Sequence, residues 1–207
     1  VADYVTVANL ALSKLGEDDQ LRDPNQDSHA ARSVAAVWDP IRRAVLRKGN
    51  FNFAMTRAQL AAQASSSLGY LDPYPFANRF PVPEDLVRLT EVLDPVDIRE
   101  SYKFERRAIL ADTDGPVFIR YVADIVNVGD WDDLFVQAFA ARLAFQIADR
   151  ITGDRGRKSD CWAEYRATIA DAGGVDAKED PPEEAYDSSW VTARFAGGSP
   201  GIPNVDF

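Results

Sequence analysis

The chain is poor in the residues that most enzymes depend on. Cys161 is its only cysteine and His29 its only histidine. One cysteine excludes an internal disulfide and a thiolate metal cluster within a single chain. One histidine leaves a single base or imidazole ligand for any triad or metal site. Positive charge is also scarce, with 23 Lys and Arg against 33 Asp and Glu, a net charge of −10. Such a molecule repels nucleic acid as a whole, which counts against a DNA-binding module but not against a channel wall along which DNA slides. No apolar run approaches the ~20 residues of a membrane span. Acidic Asp3 and Glu17 stand near the start, and no signal peptide is visible, so the sequence predicts a soluble protein. No internal repeat and no glycine-rich phosphate loop is found.

What is present is an ordinary globular complement, 46% hydrophobic, enough for one core or one domain with an appendage. The chain is organised around Asp27–Leu60. Ala30, Val34, Val37, Trp38, Ile41 and Val45 recur at helical spacing. This predicts one long helix over about 27–49, capped by Asp27 and kinked near Ala36 because Pro40 removes a donor and clashes with the carbonyl four residues back. Arg32, Asp39, Arg42, Arg43 and Arg47 fall on the opposite face, with Asp39 and Arg43 spaced to pair. After a turn at Gly49-Asn50, a second helix is predicted over about 52–64. Asp3 caps a first helix over about 3–16, stopped by Gly16.

From about residue 70 to 126 the character changes to short runs rich in Val, Ile, Tyr and Phe, punctuated by proline. Strands are predicted at Leu86–Leu93, Ser101–Phe104, Arg107–Ala111 and Val117–Ala123, forming a small antiparallel sheet or partly closed barrel inserted between helices. In the last run Val117, Ile119 and Tyr121 share one face, and Phe118, Arg120 and Val122 the other. Asp112-Thr113-Asp114-Gly115 is turn chemistry. It lacks the later ligands of a calcium loop. Two further helices are predicted, about 131–152, ended by Gly153, and about 157–172, ended by Gly173-Gly174. The fold class is therefore α+β, mainly α: a helical bundle over residues 1–180 with a β insertion. Residues 181–207 form an extended C-terminal arm too rich in proline and glycine for a helix, carrying Trp190, Phe195, Ile202, Val205 and Phe207 as contact residues that need a surface.

None of the chemical candidates outweighs a structural reading. Asp27, Ser28 and His29 are neighbours at a helix start and cannot converge on one substrate atom, so they are read as a cap. Cys161, beside Trp162, is read as a buried packing thiol. The acid pairs Asp18/Asp19, Glu84/Asp85, Asp132/Asp133 and Glu183/Glu184 suit solvated faces and helix starts, although two such groups across a cleft would make a carboxylate hydrolase, such as a cell-wall lytic protein. Arg42, Arg43, Arg47 and Lys48 form the one basic patch, read as a solvated or intersubunit face that pairs with a neighbour's acids. No catalytic, cofactor-binding or metal residue is assigned, and the chain is expected not to be an enzyme.

The order of several short motifs carries a resemblance. Ala8 to Gly16, Trp38-Asp39-Pro40-Ile41-Arg42-Arg43-Ala44-Val45-Leu46-Arg47, Phe51-Asn52-Phe53-Ala54, Arg57-Ala58-Gln59-Leu60, Phe80 to Asp85, Trp131 to Phe135 and Ala140 to Ala144 together resemble the tail tubular protein A family, the head-to-tail adaptors of short-tailed phages. Phe51 stands where that family has Trp. The resemblance spans roughly residues 4–172. It implies a structural virion protein, made in the host cytoplasm, with no cofactor and no membrane contact. It further implies a self-assembled ring of twelve subunits under the portal protein, meeting the tail tube or nozzle protein on its other face. Genome DNA would pass through the centre without specific binding. On this reading Trp190, Phe195, Ile202, Val205 and Phe207 are a portal-binding arm, with folding back over the subunit's own domain as the alternative, and Arg42, Arg43 and Arg47 are a subunit interface.

Overall fold

The computed structural model describes residues 2–18, 20–63, 75–95 and 101–179. It is α+β and mainly α, with five α-helices and two small antiparallel sheets among those residues. The expected class therefore holds. The arm over 181–207, with Trp190, Phe195, Ile202, Val205 and Phe207, lies outside the described residues.

Helix α1, Tyr4–Lys14, begins where Asp3 accepts from the Thr6 amide and buries Val7, Ala8, Ala11 and Leu12. Gly16 follows at φ +68 with the Arg157 guanidinium pressed against it, so a side chain there would meet both strain and a neighbour. The predicted 27–49 helix is two helices, α2 His29–Ala35 and α3 Trp38–Lys48. The break falls at Ala36-Val37, and Pro40 becomes the third residue of α3, where its missing N–H is one that the helix leaves unbonded anyway. The cap of α2 is Ser28, which accepts from the Ala31 amide; Asp27 instead pairs with Arg32. Asp39 pairs with Arg42 and not with Arg43.

The expected 52–64 helix is absent. Asn52–Ala54 make one 3-10 turn and Met55–Leu60 form strand β1. Ala, Met and Leu favour helix intrinsically, but β1 gains a full antiparallel ladder with β6, Val117–Ala123, from Met55 opposite Val122 to Leu60 opposite Val117. The β region thus begins at residue 55, not 70. Strand β2, Asn78–Pro81, was not expected; it is an edge strand, the place where Pro81 is tolerated. Strands β3, Leu86–Asp94, β4, Lys103–Glu105, and β5, Ala108–Ala111, complete two sheets, ordered β1-β6-β3 and β2-β5-β4. Bulges in β3 stretch its inward spacing to Leu86, Leu89 and Val92. Arg106 and Arg107, both at positive φ, turn β4 into β5, and the Arg107 guanidinium donates to the Pro83 and Glu84 carbonyls at 2.7 and 3.0 Å.

Helix α4, Asp133–Ile151, is capped by Asp132 and is the axis of the bundle. Gly153, at φ +64, lets the chain reverse into α5, Arg155–Glu179. α5 continues through Gly173-Gly174, since two glycines cost a packed helix only about 1 kcal/mol each. α4 and α5 run antiparallel, with Asp149 beside Lys158, Phe145 beside Trp162, and the Arg142 guanidinium over Tyr165.

Among the described residues the apolar side chains form two cores. One fills the helical bundle and the other lies between the two sheets. β6 serves both, sending Val117, Ile119 and Tyr121 into the β core and Val122 into the helical one. No helix among the described residues is long and apolar enough to cross a membrane.

Candidate interaction surface

The basic residues of α3 divide into three environments. Arg42 is buried, 4% exposed. Its Nε donates to Asp124 Oδ1 at 2.7 Å, one terminal nitrogen to Asp124 Oδ2 at 3.0 Å, and the other to Asp39. The Asp124 bonds raise the guanidinium pKa, against the lowering effect of burial. Arg42 is therefore turned inward, as an ion pair joining α3 to the segment after β6, where the sequence pattern had placed it on an outer face. Arg43 is exposed, with its Nε 3.9 Å from Asp124. Arg47 donates to the Val87 carbonyl at 2.7 Å, and so latches α3 to β3. The nearby Arg88 guanidinium donates to the Gly49 carbonyl and to Asn50, and burial, then Arg47, lowers its pKa.

The outer face of the β1-β6-β3 sheet extends this basic region. The strand registers place Met55, Val122 and Arg88 in one row, Arg57, Arg120 and Glu91 in the next, and Gln59, Phe118 and Asp94 in a third. Helices cover the first row, since Val122 is fully buried in the helical core and Met55 packs against it. In the second row Arg57 is exposed and lies directly opposite Arg120, which reaches Glu91 at 3.4 Å. Arg57, Arg120, Asn52 and Met55 line a polar hollow of ≈ 230 Å³. The sequence placed Arg120 on this face but gave no sign of Arg57, because a helix was expected there.

A larger groove, ≈ 670 Å³, lies at the other end of α3 between Asp3-Tyr4, Trp38-Asp39 and the loop Val126–Gly129. Two of its lining residues, Tyr4 and Trp38, belong to the aromatic cluster that ties the motif segments together. Trp38 meets Tyr4, Trp131 and Phe139 at centroid distances of 4.1, 5.9 and 4.7 Å. Phe135 meets Trp131, Phe51 and Phe53 at 4.9, 5.0 and 5.2 Å. Gly49 lies so close to Phe51 that a Cβ there would enter the ring.

The chemical candidates occupy structural positions. His29 is exposed at the first turn of α2. Cys161 is buried, and burial, then Glu164, pushes its thiol pKa up, away from the reactive thiolate. Asp132 caps α4, and Asp112 accepts from the Ala77 amide at 2.8 Å within the turn. Among the described residues no group of His, Cys, Asp and Glu is placed to hold a metal ion. Neither a family model nor a curated protein matches this chain.

Proposed function

We propose that the chain is a structural virion protein, a head-to-tail adaptor whose copies form a ring between the portal and the tail tube or nozzle. The observation that carries this reading is where the motif segments meet. Trp38, Phe51, Phe53, Trp131 and Phe135 come from three separate motifs and join in one continuous ring cluster. Short motifs that recur by accident have no reason to converge, whereas motifs that specify a shared scaffold do. The positions of His29, at a solvated helix start, and Cys161, inside a core, further favour assembly over catalysis.

The ring would have a charged joint. Arg47 lies near Arg88, the strand registers put Arg57 on the same sheet face as Arg88, and on a molecule of net charge −10 such a basic region would attract a neighbour's acids. Arg42 belongs to the subunit's own frame. The acidic remainder would let DNA pass without binding.

The test is assembly with the purified portal protein, observed by electron microscopy and native mass. Rings that form on mixing, and loosen as salt rises from 0.05 to about 0.5 M, are the expected result, because exposed pairs are screened within a Debye length of ~10 Å at 0.1 M. A chain that stays monomeric with portal and hydrolyses peptidoglycan would overturn the proposal.

A further inference from the structure

The groove at the start of α3 joins apolar surface to negative charge. Val126, one of its lining residues, is 63% exposed, the most exposed large apolar side chain among the described residues. Tyr4, Ala35 and Val128 extend this surface to Trp38. Of the charged lining residues Asp3 and Asp39 are exposed, whereas Arg42 is buried and bonded to Asp124. At ≈ 670 Å³ the groove falls among the clefts of ~300–1,000 Å³ that bury a small ligand, and so has room for an aromatic anchor.

The fold delivers a segment of this chain to that place. Trp38 meets Trp131, just before α4, so the groove lies at the end of the bundle where α4 starts. α5 runs antiparallel to α4, from Lys158 beside Asp149 to Tyr165 beside Arg142, and therefore finishes at that same end. α1 agrees: its last residue, Lys14, pairs with Glu164, while its first, Tyr4, touches Trp38. Trp190 follows the end of α5 at Glu179 by 11 residues, a reach of up to roughly 36 Å.

We infer that this groove is the docking site for residues 181–207 of the same subunit, with Trp190 as the anchor. Arg194 is the only Lys or Arg in that segment. In an extended chain residues 190, 192 and 194 share one face, so Trp190 enters the groove as Arg194 approaches Asp3 and Asp39. A tryptophan brings a large apolar area on few torsions, which suits a single anchor. The tether raises the effective concentration of the subunit's own segment to the millimolar range, an advantage that a second copy's segment lacks. The inference goes beyond the adaptor reading and does not rest on it.

Arg194 also supplies the test, because it makes a single tryptic site in the segment. Cleavage after Arg194 in the full chain should be about tenfold slower than in Trp190→Ala or Val126→Asp, since a site cut only when released tracks the open population. Both variants should keep the parent Tm; should Val126→Asp unfold, Trp190→Ala and the following measurement decide. A spin label on Ser189→Cys, in a Cys161→Ala background, should broaden the amide NMR signals of Tyr4, Val128 and Gly129 and leave those of Ile109 and Ala111 sharp. The same label on a chain invisible to the measurement, mixed with unlabelled visible chain, should broaden nothing. Equal cleavage rates in the parent and Trp190→Ala would overturn the inference, as would a label that leaves the groove signals sharp. Broadening between separate chains would overturn it as well, and would give the groove to a neighbour's segment.

Discussion

The helical core is built from rings, and the β core from branched aliphatic chains around Phe80 and Tyr121. Tyr4, Trp38, Phe51, Phe53, Trp131, Phe135 and Phe139 form a chain of tilted and edge-on contacts in the first. In the second, Val92, Ile109, Val117 and Ile119 interdigitate between two three-stranded sheets. Ring contacts are directional and carry much area on few torsions, so the bundle is specified by geometry. The sheet core is specified by register, because a one-residue slip would turn every apolar side chain outward. The two meet along β6 and at the Arg42–Asp124 pair, where the Asp124 amide also donates to the Asp85 carbonyl at 2.8 Å.

The largest effect should come from the ring cluster. Phe135→Ala removes the side chain that touches Phe51, Phe53, Trp131 and Phe139 together, and should cost about 3–5 kcal/mol in denaturant unfolding. If the bundle is the specifying half, exchange of the β-core amides should accelerate with it. Protection retained in β5 and β6 would show that the sheets hold without the bundle.

The joint comes next. Asp124→Ala leaves Arg42 buried with Asp39 as its remaining carboxylate, so the loss should be about 3 kcal/mol, near the lower end for a broken buried pair. Hydrogen exchange should then speed up in β3 and β6 more than in α4. Equal acceleration everywhere would make the two cores a single cooperative unit.

How much of this was legible depends on how local the deciding interactions are. α1 and α4 were readable because their 3.6-residue stripes are complete within each segment, and β6 because its alternation is; α5 was readable only to about residue 172, because Gly173-Gly174 reads as a stop that the helix passes through. β1 was misread since Arg57-Ala58-Gln59-Leu60 suits a helix until a partner strand some 60 residues away offers a ladder. The inward turn of Arg42 depends on Asp124, 82 positions on, so no window around α3 reveals it. The opposition of Arg57 and Arg120 has the same origin: it is a fact of register. The Arg106-Arg107 turn carries none of the Asn-Gly chemistry by which such turns are recognised.

A smaller effect belongs to the β core. The Tyr121 hydroxyl lies 3.2 Å from Asp85, and burial, then Asp85, pushes its pKa up to about 12. The neutral phenol is thus favoured in the folded state. The unfolded chain ionises from about pH 10, so this stability is complete below pH 10 and is lost as pH rises toward 12. Tyr121→Phe should cost about 1 kcal/mol at neutral pH and flatten part of the alkaline decline. Tyr4 and Tyr165, raised chiefly by burial in the helical region, would account for the slope that remains. An alkaline profile unchanged by Tyr121→Phe would remove the Asp85 contact from the account.

The smallest effect should have the opposite sign. Ser33, in α2, is fully buried, and its hydroxyl has no hydrogen-bond partner. A buried donor without a partner loses its bonds to water and gains nothing in exchange. Alanine removes that loss, and it is also the better helix former. The lost oxygen leaves little space, so the cavity cost is slight. Ser33→Ala should therefore stabilise the chain by roughly 0.5 kcal/mol, read as a small rise in the denaturant midpoint at unchanged m. Deleting one hydroxyl from each core would then move stability in opposite directions, down at Tyr121, whose hydroxyl has Asp85, and up at Ser33, whose hydroxyl has no partner. If Ser33→Ala destabilises by as much as Tyr121→Phe, the Ser33 hydroxyl is bonded in solution, most simply to a buried water, and the helical core is less dry than its ring contacts imply.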